Sequence, residues 1–245
     1  METQQETSVQ AQQETTAEKK PRGLRQSVQG FVFAALLLGA LFGSAGTVRW
    51  VQGWIYVALW MIGMIGGGMT IRRCNPSLLR ERAKWRRSDT KPFDKVFLAI
   101  YLPLMYVQLA VGGLDARRFH WARLPFGWTC VGVALFMVAT VVIMWALAIN
   151  PHAESTVRIQ KDRGHSVVSS GPYRIVRHPM YFGLILMYMA TALVLGSGWA
   201  MAVGGAIALL YLWRTIMEDR TLRSELQGYE EYATRTKYRL VPGIW

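Results

Sequence analysis

The residues best suited to chemistry crowd into one stretch, Gly164 to Gly183, and onto one later pair, Arg214 and Glu218. The stretch sets His165, His178, Arg174, Arg177, Tyr173 and Tyr181 between long apolar runs. Ionisable groups are costly in or beside a bilayer and are kept where they have a use. Pro179 opens an apolar run that ends at Gly196. Proline suits the first position of a helix, which puts His178 at the N-cap. A helix starting there would aim free N–H groups and the positive end of its dipole at the preceding loop, a seat for an anion. Arg214 and Glu218 stand four residues apart, on one helical face. The guanidinium can grip an anionic group with its planar fork, and the carboxylate can pair with a cation or accept a proton. The plainer alternatives are a surface ion pair, topology-setting arginines and interfacial tyrosine anchors. The chain has no serine in a nucleophile elbow, no phosphate-binding glycine loop and no His/Cys/Asp/Glu set with metal-ligand spacing.

The elements that must position these residues are membrane helices. The 245-residue chain is 52% hydrophobic with 12 Met and 10 Trp. Apolar windows run over Val28–Gly46, Val51–Ile71, Phe93–Gly113, Pro125–Ile149, Pro179–Gly196 and Trp199–Trp213. A span needs about 20 apolar residues, so the expected fold is an all-α integral membrane protein of five to six transmembrane helices. Gly196-Ser197-Gly198 makes the last two a tight hairpin that spans or re-enters. The net charge of +13 does not point to nucleic acid, because the basic residues alternate by loop. The N-tail holds 4 Lys and Arg, the first loop 1, the second 9, the third 3, the fourth 5, the fifth none and the tail from Arg214 onward 6. That alternation predicts both termini on the cytoplasmic side. Cys74 and Cys130 have no partner spacing, which argues against a disulfide or a metal.

Along the chain, residues 1–26 read as a disordered polar tail, 27–150 as the first four transmembrane helices and 151–245 as the region that carries the site. Gly63, Gly66, Gly67 and Gly68 read as a helix-packing surface. Arg72–Lys95, with Lys84 and Trp85, reads as a basic segment lying on the cytoplasmic membrane surface. Pro103 falls inside the third span and His120 in an outer loop. His152 is near the key stretch without a motif of its own. Ser155–Gln160 alternates polar and apolar residues, as a short extended piece would. The last helix should run past the membrane through Arg214, Glu218 and Leu222 to Gly228, and the aromatic C-terminus should fold back.

Two patterns, Gly171-Pro172-Tyr173 with Arg177-His178-Pro179 and Tyr181-x-Gly183, then Arg214-x-x-x-Glu218-Asp219 with Gly228-x-x-x-Tyr232, resemble the isoprenylcysteine carboxyl methyltransferase family. The likeness covers about Ser155 to Trp245, and the wider group includes phospholipid and thiol methyltransferases. It implies an S-adenosylmethionine-dependent enzyme with a cytoplasm-facing cofactor pocket built from the C-terminal helices and loop. Carried over by motif, Gln160, His165, Ser166, Val167, Val168, Tyr173, His178, Pro179, Met180, Tyr181 and Glu218 would contact the cofactor. Arg214 would meet the substrate, and Arg214 and Glu218 would be catalytic. Asp219 stands where the family often has Glu. The implied partners are the bilayer and a lipophilic methyl acceptor, without nucleic acid or metal. Carboxylate O-methylation is the leading reaction, with phospholipid N- or thiol S-methylation as variants. The alternatives outside this class are an NADPH-dependent membrane reductase of the sterol-reductase type and a non-catalytic scaffold.

Overall fold

The structure is a computed structural model that describes residues 22–82 and 87–245. The expected tail up to residue 21, and Lys84, Trp85 and Arg86 of the basic segment, lie outside the described residues. Eight α-helices occur among the described residues, which include no strand. They are α1 (Arg22–Leu38), α2 (Val51–Cys74), α3 (Pro76–Arg82), α4 (Pro92–Gly113), α5 (Gly127–Ile149), α6 (Pro179–Leu195), α7 (Gly198–Glu225) and α8 (Tyr229–Arg235). The chain divides after Gly39, and the unit Ala40–Trp245 carries the site.

Four helices are long and apolar enough to cross a bilayer, Val51–Cys74, Pro92–Phe119, Gly127–Ile149 and Gly198–Glu225. This is a multi-pass membrane protein. Two further apolar helices, Gly30–Gly43 and Pro179–Leu195, are shorter. The 17 residues of α6 reach about 26 Å at 1.5 Å per residue, less than a typical 30 Å hydrocarbon layer. The expected five to six spans thus resolve into four long helices and two short ones. Met61, Ile65, Met69, Ile100, Val138, Val141 and Leu209 are exposed, as lipid-facing side chains should be.

Close helix packing is set by glycines other than the expected cluster. A Cβ on Gly132 of α5 would meet the Val194 amide nitrogen at 2.5 Å, and one on Gly183 of α6 would meet the Ala139 carbonyl oxygen at 3.2 Å. Gly204 of α7 would meet the Tyr188 carbonyl at 3.1 Å. Without side chains there, α5, α6 and α7 approach backbone to backbone. In the α2 cluster Gly66 meets only the end of the Met144 side chain and no facing backbone, whereas Gly63, Gly67 and Gly68 have nothing within 4 Å.

The hairpin joining α6 to α7 is fastened by an acid in a segment that reads as an outer loop. Gly196 adopts φ 72°, a left-handed conformation open to glycine. Ser197 caps α7 by accepting from the Ala200 N–H at 2.9 Å. The fully buried Asp115 accepts from the Ser197 hydroxyl at 2.6 Å, the Ala122 N–H at 2.6 Å and the Trp199 N–H at 3.1 Å. Gln108 of α4 donates to the Tyr188 carbonyl at 2.8 Å and the Ala200 carbonyl at 3.2 Å, tying α4 to both arms of the hairpin. Pro103 sits inside a helix that continues through it.

The expected extended piece, Ser155–Gln160, forms no strand. It lies against the start of α4, where the Lys91 N–H donates to the Val157 carbonyl at 3.0 Å and the Val157 N–H donates to Asp94 Oδ2 at 2.8 Å. Helix α7 ends at Glu225, and Gly228 (φ 80°) turns the chain into α8. The C-terminal segment folds back. Leu240 joins the buried cluster of Phe97, Tyr181, Tyr188, Ile207 and Tyr211, with Val241 and Trp245 packed against it.

Candidate active site

The loop from Asn150 to Val168, the turn at Tyr173, the start of α6, the second half of α7 and the start of α8 meet around one cleft. Gln160, His165, Ser166, Val167, Val168, Tyr173, His178, Met180, Tyr181, Arg214 and Glu218 all line it. Pro179 is buried at the first position of α6 and is absent from the wall. The cleft has a volume of about 100 Å³ and opens to solvent.

Arg214 and Glu218 share a helical face but do not pair with each other. Arg214 Nη2 lies 2.8 Å from Asp94 Oδ1 and 3.3 Å from the Ser155 carbonyl. Its guanidinium carbon sits 4.3 Å from the Phe97 ring centroid and 5.1 Å from that of Tyr181. Such ring contacts favour a desolvated cation. Arg214 Nε is buried and has no hydrogen-bond partner among the described residues. Glu218 accepts a hydrogen bond from the Tyr181 hydroxyl. The acid that neutralises Arg214 is therefore Asp94, on a helix remote in sequence. The signal was in the chain, because Asp94 is the one acid in the apolar run Pro92–Gly113 and an acid there is costly without a partner.

His178 serves the fold as well as the cleft. Its ring is parallel to that of Tyr181, with centroids 5.7 Å apart, and its Nε2 is 3.5 Å from Asp219 Oδ1. Most of the expected anion seat at the start of α6 is already engaged. The His178 N–H donates to the Arg239 carbonyl at 2.9 Å, and the Tyr181 and Phe182 N–H groups turn back to the His178 carbonyl. The local anion is Asp219, which receives Arg177 Nε at 2.8 Å, the Tyr229 hydroxyl at 3.0 Å, Arg239 Nε at 3.1 Å and Arg223 Nε at 3.2 Å. Asp219 thus binds α6, α7, α8 and the C-terminal segment at one point. Tyr229, outside the membrane segments, has its pKa pushed up first by burial and then by the charge of Asp219.

The loop wall is held internally. Gln160 Nε2 donates to the His152 carbonyl at 2.7 Å, and its Oε1 accepts from Arg163 at 2.8 Å. Arg158 binds both oxygens of Glu154 at 2.9 Å and also reaches Asp89 and Asp162. Its pKa is raised by the bond to Glu154 despite burial. The buried amide of Gln160 is a brace of this loop. His152 lies on the same wall, its ring 4.6 Å from that of His165. Burial, followed by the neighbouring His152, lowers the His165 pKa from 6.5 to about 4. Burial also lowers the pKa of His152. The His165 ring is therefore neutral at pH 7.

A depressed histidine pKa makes the unfolded chain bind more protons than the folded one between the two values. The stability linked to His165 is therefore present above pH 6.5 and lost as pH falls toward about 4. Thermal unfolding midpoints in detergent are expected to drop across that window, and the drop should be shallower in His165→Gln. Identical pH profiles for the two proteins would refute this.

Among the described residues no three His, Cys, Asp or Glu side chains are grouped to hold a metal ion. Cys74 and Cys130 are free and exposed. Residues 128–227 match the phospholipid methyltransferase family, which puts this stretch in the wider phospholipid and isoprenylcysteine methyltransferase group. The matched stretch includes every candidate residue named above, while Asp94 and Phe97 lie outside it. No curated protein matches the chain.

Proposed function

We propose that this membrane methyltransferase takes its methyl group from S-adenosylmethionine and passes it to a lipophilic carboxylate that reaches the cleft from the bilayer. The observation that supports this most is the convergence of the Asn150–Val168 loop, the start of α6 and the Arg214–Glu218 turn on one cleft inside the matched stretch. The donor set fits such a cofactor. Tyr173 and Tyr181 offer aromatic faces for a purine or a cation. Glu218, oriented by the Tyr181 hydroxyl, suits an ammonium group. S-adenosylmethionine supplies an electrophilic methyl group on a sulfonium.

The protein's part is then alignment and exclusion of water. Arg214, with Nε lacking a partner and its charge shared with Asp94, can receive an anionic acceptor group while the rings of Phe97 and Tyr181 keep it dry. A carboxylate acceptor is ionised at neutral pH and needs no base. The second reading, an amine of a phospholipid headgroup, is favoured by the family match. For that acceptor Glu218 would take the proton. The site and both termini are assigned to the cytoplasmic side on the alternation of basic loops.

Calorimetric titration of the detergent-purified protein with S-adenosylhomocysteine should show binding, weakened at least about tenfold, or 1.4 kcal/mol, in Glu218→Ala. A folded sample that ignores the ligand would defeat the proposal, and NADPH would then be titrated. Methyl label transferred to membrane lipids separates the acceptors. An ester releases methanol in alkali, and a methylated amine does not.

A further inference from the structure

On α4, the residues Lys95, Leu98, Ala99 and Leu102 fall at spacings of three and four and form one stripe down the helix. With Arg87, Ser88 and Thr90 they line a groove of about 490 Å³, distinct from the cleft. The groove is polar at the start of α4 and apolar below, where Ala99 and Leu102 are exposed on a helix long enough to span the bilayer. Lys95 is exposed at its head and makes no ion pair among the described residues. Arg87 is paired with Glu81, and its buried Nε stands 3.6 Å from Glu154 and makes no hydrogen bond among the described residues. Thr90 is 6% exposed, and its hydroxyl is buried without a partner among the described residues. A buried hydroxyl without a partner is costly, and this one belongs to a residue of the groove wall.

We propose that this groove binds the phosphate of an anionic glycerophospholipid between Lys95 and Thr90, with an acyl chain lying along Leu98, Ala99 and Leu102. A cation and a hydroxyl above an apolar stripe match a charged head above a hydrocarbon tail. Arg87 adds a second donor whose charge is already shared with acids, so the free charge comes from Lys95. The site does not rest on the methyl-transfer reading. It requires only that α4 crosses the membrane. It also borders the cleft, because the Lys91 N–H and Asp94 on the same turn hold Val157 of the cleft wall.

Native mass spectrometry of the full chain released from detergent, titrated with phosphatidylglycerol, phosphatidylcholine or inorganic phosphate, tests this. Phosphatidylglycerol should be retained at least about fivefold more than phosphatidylcholine, the effect of about one surface charge. Lys95→Glu should lose that preference. Thr90→Val should bind phosphatidylglycerol less while its lipid-free unfolding midpoint stays level or rises, since removing a hydroxyl with no partner does not harm the fold. Equal retention of the two lipids, or unchanged retention in folded Lys95→Glu, would overturn the site. Inorganic phosphate displacing phosphatidylglycerol completely at equal concentration would also overturn it, as a free-anion site. Binding of S-adenosylhomocysteine by the same samples reports on the cleft independently.

Discussion

Asp94→Asn is expected to destabilise the protein by about 3–5 kcal/mol, the usual cost of breaking a buried ion pair from one side. Asp94 is completely buried and Arg214 nearly so. The substitution keeps the shape and leaves an oxygen able to accept from the Val157 N–H, which lies 2.8 Å from Oδ2. It removes the only carboxylate within ion-pair distance of Arg214 among the described residues. The guanidinium then has the rings of Phe97 and Tyr181 and the Ser155 carbonyl for company, with no compensating charge. It will shift or draw in water. Displacement by about 1 Å at a reacting site costs about a hundredfold in rate, so methyl transfer should fall by that order. The double variant Asp94→Asn with Arg214→Met should recover much of the unfolding midpoint, because no charge is left stranded, yet remain inactive. Thermal unfolding in detergent and label transfer to membrane lipids read the two effects separately. A single variant as stable as the parent would mean that Arg214 does not depend on Asp94. A double variant that regains turnover would remove Arg214 from the acceptor site.

Asp219→Ala should have an effect at least as large on stability, with a different signature. The carboxylate is buried and holds Arg177, Arg223, Arg239, Tyr229 and His178 together. Arg177 would keep only the carbonyls of Thr236 and Lys237, at 2.7 and 2.8 Å. These bonds and the backbone contacts of Arg177 and His178 with Tyr238 and Arg239 dock the C-terminal segment. A loss of about 3–5 kcal/mol is expected, concentrated in α8 and the C-terminal segment. Limited tryptic cleavage after Lys237 and Arg239 should accelerate well before global unfolding. Cleavage rates equal to those of the parent would show that the segment is held by Leu240 and Trp245 packing alone. Asp219→Asn should be milder, since it keeps one acceptor oxygen.

The placement of the six apolar windows and the run of α7 through Arg214 and Glu218 were legible in the sequence, because each rests on local periodicity and length; the number of helices long enough to span, four rather than five or six, was not. So was the candidate cleft, from Gln160 to Glu218, through two motifs whose residues are near one another along the chain. The motifs carried no information on how each side chain is satisfied. Arg214 and Glu218 are one turn apart, and a local rule pairs them. Folding instead turns Arg214 to Asp94, more than a hundred residues earlier, and Glu218 to the Tyr181 hydroxyl. The start of α6 has the sequence of an anion site, yet the returning C-terminal segment takes the His178 N–H and Asp219 supplies the anion. The glycines of α2 form the densest cluster, but close packing is decided at Gly132, Gly183 and Gly204, where the facing backbone is nearest.

What the sequence by itself determined is which segments are apolar, where helices start and stop, and which residues share a turn, since those follow from covalent neighbours and the helical period. Only the tertiary structure decided the partners of the buried charges. A buried charge must be met by whatever group the packing brings within about 4 Å, and that group is chosen by helix crossing rather than by distance along the chain.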